Sequence, residues 1–200
     1  MQRIIHDDDF RPVRGIFRRP PRSSRMMDMR FKHKLCFLVC LLAILGSAQY
    51  ARSPLKVPAA RRNLYPAEVN AREEIKEARA AAAHSNKRVI LVFGANWCSD
   101  CFALDYAFHQ PRIAPLLNAN FKVVHVNVGG SEGSGFDKNL DLARKYRLPI
   151  EKGIPSVAVI DSHDKLLYST PEFEKARKMT EEDVIQFLNA WKPPAPKASE

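Results

Sequence analysis

The sequence predicts one α/β domain, and three patterns in its apolar residues carry this prediction. Two apolar, strand-like runs are separated by a helical segment, which is the order of a βαβ unit. A third apolar run is followed by a polar turn and a fourth strand-like run, which indicates an antiparallel hairpin. A last helical segment follows the hairpin. With 200 residues, of which 46% are apolar, the chain is long enough to bury one sizeable core.

The first predicted helix covers Ala67–Ser85, and the first predicted strand covers Arg88–Phe93. The helix has small and apolar residues on one face and charged residues largely elsewhere, as expected for a helix that packs against a sheet. The positions on that apolar face are Ala71, Ile75, Ala78 and Ala82. Within the strand, Val89–Phe93 is continuously apolar, which is typical of a strand buried on both faces, and Gly94 ends it.

A second helix begins near Cys98, and Pro111 breaks it, because proline cannot donate a backbone hydrogen bond inside a helix. Arg112–Asn118 continues as a helical segment, and Phe121–Val128 is the second strand. Gly129–Gly135 is predicted as a flexible loop. This loop lacks the Gly-Lys-Ser/Thr ending of a phosphate-binding loop, so the sequence does not support a nucleotide site there.

The C-terminal half is predicted to contain a short helix, a hairpin and a last helix. The short helix covers Asn139–Tyr146. The hairpin pairs Ser156–Ile160 with Lys165–Ser169 across the turn Asp161–Asp164. The last helix covers Thr180–Trp191, and its first residue is a threonine with an aspartate three positions later, which is a variant of the capping box.

The first 48 residues differ in character from the rest of the chain. Residues 1–28 are rich in Arg, Pro and Asp without any period, so they are predicted to form an irregular extension. We expect translation to begin at Met26, Met27 or Met29, so that most or all of this extension lies upstream of the true start. Residues 29–48 have a basic beginning, an apolar core and small residues at the end, which is the pattern of a secretory signal peptide. Cleavage is expected after Ala48, and an uncleaved membrane anchor is the alternative.

The remainder of the chain is predicted to have three parts. Residues 49–66 are a linker rich in Pro, Arg and Ala, residues 67–191 are the folded domain, and residues 192–200 are a disordered tail with three prolines. Export directed by this signal peptide would deliver the protein to the periplasm or to the medium. These are oxidising compartments, in which dithiols find disulfide partners.

The net charge of +10 is concentrated in the segment that is predicted to be removed. Residues 1–48 contain ten Lys or Arg against four Asp or Glu, whereas residues 49–200 contain 22 against 18. A nucleic-acid-binding protein needs a basic face on its folded part. The mixed charges of residues 49–200 therefore argue against a nucleic-acid partner.

After removal of the signal segment, Cys98 and Cys101 are the only cysteines left, because Cys36 and Cys40 lie in its apolar core. A Cys-x-x-Cys pair on the first turn of a helix is typical of redox chemistry. The helix dipole and the free backbone N–H groups favour an anion there, so the pKa of the Cys98 thiol is expected to be lowered. A structural disulfide and half of a zinc site are the alternatives. A zinc site needs two more ligands close in space, and the histidines are scattered at 84, 109, 125 and 163.

Two sequence motifs at this spacing resemble the thioredoxin fold. They are Trp97-Cys98-Ser99-Asp100-Cys101, after the first strand, and Gly153-Ile154-Pro155-Ser156, before the third. The resemblance covers Ala67 to Trp191. It is nearest to the secreted bacterial thioredoxin-like proteins and to the C-terminal domain of the DsbD reductase. It implies a central mixed β-sheet flanked by helices, with an added N-terminal helix.

The resemblance also implies a role for each residue of the two motifs. Cys98 would be the attacking thiolate and Cys101 the resolving thiol of a redox-active disulfide. Pro155 would be a cis proline facing that disulfide, and the backbone of Ile154 would contact an extended substrate peptide. Trp97 would cover one side of the two thiols. A trans proline that opens a strand and a core tryptophan are the alternatives for Pro155 and Trp97.

The sequence departs from the usual thioredoxin pattern at three places. Ser99-Asp100 replaces Gly-Pro between the cysteines, and the Asp100 carboxylate is expected to oppose thiolate formation. Val92 occupies the position of the usual buried acid, and His125 that of the usual lysine. Asp105 shares a helical face with the cysteines, so Asp105, alone or with His125, is a candidate acceptor for the Cys101 proton. A surface or helix-packing aspartate is the alternative.

Together these patterns predict a secreted or periplasmic thiol–disulfide oxidoreductase that needs neither a metal nor an organic cofactor. It would exchange electrons with protein disulfides and with a donor or acceptor redox protein, in the reductase direction. We expect a monomer that contacts a membrane only if the signal segment is uncleaved. A thioredoxin-fold binding or chaperone module, and a metallochaperone that holds a soft ion on the two thiols, are the rival functions.

Overall fold

A four-stranded mixed sheet with the order β2-β1-β3-β4 organises the part of the chain that the computed structural model describes, residues 53–58, 63–170 and 172–195. The strands are β1 (Arg88–Gly94), β2 (Phe121–Asn127), β3 (Ser156–Ile160) and β4 (Leu166–Thr170). β1 is parallel to β2 and antiparallel to β3, and β3 is antiparallel to β4. The βαβ unit, the hairpin and the mixed sheet are therefore confirmed.

Five α-helices and two 3₁₀ segments surround the sheet within the described residues. The helices are α1 (Ala71–His84), α2 (Ser99–Phe108), α3 (Ala114–Asn120), α4 (Leu140–Lys145) and α5 (Glu181–Trp191). The 3₁₀ segments are Ile150–Lys152 and Glu172–Lys178. None of the helices in the described part of the chain has the length and apolar character needed to cross a membrane.

Local capping chemistry sets several helix ends. α1 begins four residues later than predicted, because the Asn70 side chain accepts hydrogen bonds from the backbone of Arg72 and Glu73 and so caps it. The predicted capping box of α5 is present, formed by Thr180 and Asp183. Whether α1 is an addition to the fold stays a prediction.

The core lies on both faces of β1, whose side chains alternate between two apolar clusters. Val89, Leu91 and Phe93 pack with residues of α1 and α4, and Ile90 and Val92 pack with residues of α2, α3 and α5. All five side chains are at most 1% exposed. This double burial explains why β1 is continuously apolar. It also holds the C-terminal end of β1 rigidly, and the Cys-x-x-Cys segment follows that end.

Part of the segment that was predicted as a linker packs against the domain. Leu55 is 8% exposed, and its N–H donates to the carbonyl of Met179 at 2.8 Å. Tyr65 is only 1% exposed. The structure therefore differs from the prediction at these two apolar residues, whose partners are distant in sequence.

The described residues do not include the predicted extension and signal segment. They also do not include residues 196–200 of the predicted tail.

Candidate active site

The Cys-x-x-Cys pair lies at the N-terminus of α2, as predicted, and the two cysteines form a disulfide with Cα atoms 5.3 Å apart. Cys98 is the N-cap residue of α2, with extended backbone angles, and its Sγ accepts a hydrogen bond from the N–H of Cys101 at 3.1 Å. The free N–H groups of a helix N-terminus favour negative charge. The site is therefore built to stabilise a thiolate at Cys98.

The two sulfur-bearing residues differ in exposure. Cys98 is 5% exposed, whereas Cys101 is completely buried. In thiol–disulfide exchange a sulfur of the substrate must come into direct contact with one of the two cysteine sulfurs. Because Cys101 is completely buried, that contact is made at Cys98.

The backbone of Ile154 lies against the disulfide, where the resemblance placed it, and Pro155 is the next residue along the chain. The peptide bond between them is cis. The carbonyl oxygen of Ile154 is 3.4 Å from the Sγ of Cys98, which is a contact rather than a hydrogen bond because an oxidised sulfur carries no proton. Both residues are buried. The second motif is thus brought to the first across a separation of 56 residues.

Trp97 is partly buried on the loop that joins β1 to α2. Its indole ring stacks on Phe136, with ring centroids 6.3 Å apart and planes 9° from parallel, and its Nε1–H donates to the carbonyl of Gly129 at 3.3 Å. Trp97 thus lies next to Cys98 and is held by the loop after β2. Phe136, which fixes this ring, was not singled out in the sequence.

The carboxylate of Asp100, which is expected to oppose thiolate formation, has Arg177 as its ionic partner. Its two oxygens accept hydrogen bonds from the backbone N–H and the Nε of Arg177, at 2.8 and 3.0 Å. The Asp100 side chain is 15% exposed, and that of Arg177 is 57% exposed. No local pattern could have identified Arg177, because 77 residues separate the partners.

Asp105 lies inside the domain and not at the surface, since it is 6% exposed. Its Oδ1 is 3.6 Å from the Nε2 of His125 and 3.8 Å from the Nδ1 of His109. The predicted pair of Asp105 and His125 is therefore brought together. His109 was missed, although its position one helical turn after Asp105 was a usable signal. These three residues line an open cavity of about 640 Å³.

Tyr65 is a site residue that the sequence reasoning missed. Its ring meets that of His125 edge-to-face, with centroids 5.4 Å apart. Burial, and then the negative charge of Asp105, raise the pKa of the Tyr65 phenol far above its usual value. Gly94 provides the space, because a β-carbon there would collide with the Tyr65 hydroxyl and lie 2.8 Å from the Sγ of Cys101.

Among the residues that the structure describes, no group of three or more His, Cys, Asp or Glu is placed to hold a metal ion. The Asp105 carboxylate contacts the imidazoles of His109 and His125, and His125 contacts the Tyr65 phenol. Groups of these kinds can hold or move a proton.

Comparison with known proteins gives one family and a set of similar structures. The family model described as thioredoxin-like matches residues 70–162. The crystal structure of a disulphide isomerase from Xylella fastidiosa Temecula1 is 38% identical, covers 66% of this chain and 98% of its own, and superposes with a TM-score of 0.59. No curated protein matches the chain.

Two further solved structures are more distant. The DsbD C-terminal domain of Neisseria meningitidis in the oxidised form is 18% identical, covers 61% of this chain and 96% of its own, and has a TM-score of 0.45. A thioredoxin from Thermus thermophilus is 23% identical, covers 57% of this chain and 80% of its own, and has a TM-score of 0.42.

Proposed function

Because this chain belongs to the thioredoxin-like superfamily and is a thiol–disulfide oxidoreductase, we propose that it reduces protein disulfides outside the cytoplasm. The thiolate of Cys98 attacks a substrate disulfide and forms a mixed disulfide. The thiolate of Cys101 then attacks the Sγ of Cys98, and the substrate leaves as a dithiol. Cys98 and Cys101 end as a disulfide, which a separate redox protein must reduce before the next cycle.

The reductase direction is supported by two carboxylates on the helix that begins at Cys98. Negative charge close to the cysteines opposes the thiolate of the reduced form and leaves the neutral disulfide unaffected, so it favours oxidation of the protein. Arg177 offsets part of the charge of Asp100. The ionic neighbours of Asp105 include two histidines, which offset its charge only when they are protonated. The buried Asp105 carboxylate is the single observation that carries the direction.

The reduction potential tests the direction. The measurement uses the full chain with Cys36→Ser and Cys40→Ser, so that Cys98 and Cys101 are the only thiols, equilibrated with glutathione buffers. We expect a value of about −250 mV or lower, as in thioredoxin. A value of about −120 to −180 mV would contradict the reductase direction and indicate an oxidase or an isomerase. In the same background, Asp105→Asn is expected to raise the potential, because it removes the negative charge and keeps the shape.

We also propose Asp105 as the acceptor of the Cys101 proton. The two residues are one helical turn apart on α2, and Asp105 borders the open cavity through which a proton can leave to solvent. His125 contacts the same carboxylate and would receive or share this proton. Thiol-exchange rates of Asp105→Asn that match the unsubstituted protein at every pH from 6 to 9 would contradict this role.

A disulfide isomerase is the second candidate, because the similar protein from Xylella fastidiosa bears that name. An isomerase must attack and release non-native disulfides without becoming oxidised itself. Scrambled ribonuclease distinguishes the two functions. A reductase leaves ribonuclease with free thiols and is oxidised once for each disulfide that it reduces. An isomerase restores ribonuclease activity without a matching loss of its own reduced form.

The proposed location rests on residues 29–48, which lie outside the described part of the chain. Their basic start, apolar core and small residues support export to the periplasm or the medium. The mass of the protein recovered from cells is expected to correspond to a chain that begins at Gln49. A mass that retains residues 29–48 would favour an uncleaved membrane anchor.

A monomeric state is part of this proposal and is tested by light scattering.

A further inference from the structure

The hydroxyl of Tyr65 is buried and has no hydrogen-bond partner among the residues that the structure describes. Such a group is costly, because its hydrogen bonds to water are lost on folding and are not replaced. Buried polar atoms without a partner are rare in native proteins, and a functional role is one recognised explanation. Tyr65 is therefore the buried group that most needs an explanation here.

The absence of a side chain at Gly94 lets the Tyr65 hydroxyl and the Cys101 sulfur approach each other. Both the Tyr65 hydroxyl oxygen and the Cys101 Sγ lie within 2.8 Å of the point that a β-carbon on Gly94 would occupy. The two atoms are therefore at most twice that distance apart. Because residue 94 has no side chain, nothing of that residue stands between them.

The backbone of Tyr65 is held firmly in this position. Its N–H donates to the side-chain oxygen of Asn96 at 3.1 Å, and its carbonyl accepts from the side-chain amides of Asn96 and Asn127, each at 2.9 Å. These two asparagines follow β1 and end β2, respectively. The strands that position the dithiol thus also position the phenol.

We propose that the Tyr65 hydroxyl donates a hydrogen bond to the Cys101 sulfur once the disulfide is open, and that this bond promotes the resolving step. The inference rests on the proposed function, since it concerns the same exchange reaction. A disulfide sulfur is a weak acceptor, whereas a thiolate is a strong one, so the bond forms as Cys101 becomes the nucleophile. In the oxidised state described here, the hydroxyl has no hydrogen-bond partner among the described residues.

The groups that face Tyr65 indicate a donor and not a base. Asp105 of α2 and His125 of β2 both interact with it, and burial together with the Asp105 charge keeps the phenol protonated. In the resolving step, Cys101 gives its proton to the Asp105 carboxylate and the Tyr65 O–H stabilises the resulting thiolate. The bond from Cys101 to the Sγ of Cys98 forms and the bond to the substrate sulfur breaks. The substrate thiolate then takes up a proton, so two cysteines are oxidised and one disulfide is reduced.

Reaction with 5,5′-dithiobis(2-nitrobenzoate) separates the two steps in one experiment. With the reduced full chain carrying Cys36→Ser and Cys40→Ser, the first coloured thiolate is released by attack of Cys98. The second is released by attack of Cys101. In Tyr65→Phe, we expect an unchanged first phase and a second phase about tenfold slower at pH 7, with its pH profile displaced upward by about one unit.

Tyr146→Phe is the matched control. Tyr146 is an equally buried tyrosine, but its hydroxyl already donates to Asp164 at 2.9 Å, away from the dithiol. An unchanged second phase in Tyr65→Phe, equal slowing of both phases, or the same slowing in Tyr146→Phe would each overturn the role of the hydroxyl. Failure of the unsubstituted background protein to release a second thiolate would instead overturn the proposed function, and the inference with it.

A spectroscopic measurement keeps the test valid even if Tyr65→Phe does not fold. In the background protein with tyrosines labelled with ¹³C at Cζ, reduction of the disulfide is expected to move the Tyr65 signal. The shift should increase as pH rises and the Cys101 thiolate forms. The Tyr146 signal should not move. An identical Tyr65 signal in the oxidised and reduced protein at every pH would overturn the proposal.

Discussion

At the scale of single residues, Gly94 determines how closely two buried side chains approach each other. It ends β1, and the Tyr65 hydroxyl and the Cys101 Sγ occupy the space that a side chain would need. The reason for glycine here is this close approach and not an unusual backbone angle. Cys98 and Cys101 show a second contrast at this scale, since Cys98 is 5% exposed and Cys101 is completely buried.

Gly94→Ala is expected to lower the free energy of unfolding by about 1–3 kcal/mol, because the added methyl group overpacks this contact. Urea denaturation measures the change. Tyr65→Leu removes both Tyr65 atoms that the methyl group would strike, the hydroxyl oxygen and the ring carbon Cζ, so the double variant Gly94→Ala/Tyr65→Leu should lose less stability than the sum of the single changes. Additive losses would contradict the close approach.

At the scale of elements, the first turn of α2 is tied to the 3₁₀ segment Glu172–Lys178 by the pair of Asp100 and Arg177. This pair matters for the chemistry, because it changes the net charge that the thiolate of Cys98 experiences. The Arg177 side chain is 57% exposed, so solvent screens this pair and its contribution is modest, on the order of 1 kcal/mol or less.

Arg177→Gln is expected to slow alkylation of Cys98 by iodoacetamide at pH 6 about threefold, because the unopposed Asp100 carboxylate disfavours the thiolate. Arg112→Gln is the matched control, since Arg112 pairs with Glu181 and Glu182 at the start of α5. An Arg177→Gln rate equal to that of the control would show that the pair does not influence the site.

A second link between elements is centred on Asp164, in the turn between β3 and β4. Its carboxylate accepts hydrogen bonds from Lys145 at 2.6 Å and from Tyr146 at 2.9 Å, and it pairs with Arg79 of α1 at 3.4 Å. Burial alone would raise the pKa of Asp164, but these donors outweigh burial and lower it. The turn, α1 and the end of α4 are thereby joined by one side chain.

Asp164→Asn is expected to reduce the free energy of unfolding by about 1 kcal/mol at pH 7. Because the folded pKa is lowered, the carboxylate contributes fully above its ordinary pKa of 3.8, and this contribution is lost as pH falls through the folded pKa. The difference from the unsubstituted protein should therefore shrink in strong acid. Urea denaturation over this pH range measures it.

The asparagine side chain tolerates positive φ as aspartate does, and φ is 71° at Asp164, so backbone strain does not complicate the comparison. Asp141→Asn is the control, because Asp141 pairs with Arg72 at the exposed surface. A loss in Asp164→Asn that does not change with pH would contradict the electrostatic account.

At the scale of the whole molecule, the segment before α1 completes both apolar clusters. Leu55 belongs to the cluster on the side of α2 and α5, and Tyr65 belongs to the cluster on the side of α1. The folded unit therefore includes residues that precede the predicted domain boundary at Ala67.

A chain that begins at Ala67 is expected to be less stable than one that begins at Ser53 by about 5 kcal/mol, the typical cost of losing one large buried side chain or more. This is a large part of the stability of an ordinary domain. Urea denaturation followed by circular dichroism compares the two chains. Equal midpoints would show that the segment contributes nothing to the fold.

The order of the elements, their approximate bounds and the position of the dithiol followed from the sequence, because these features depend on near neighbours. An apolar run such as Val89–Phe93, a proline such as Pro111 and a capping pair such as Thr180 and Asp183 act within a few residues. The spacing of the two motifs, which is typical of one fold, also indicated that they meet, and the Ile154 carbonyl contacts the Cys98 sulfur.

Only the tertiary structure decided which groups surround the dithiol. Arg177 reaches Asp100 across 77 residues, and Tyr65 reaches the site from a segment whose composition indicates a linker. Burial of Asp105 likewise depends on how α2 packs against β2. These contacts depend on packing between distant parts of the chain, which no local period or propensity encodes. The sequence by itself therefore determined the reaction centre, and the fold determined the charges and donors that tune it.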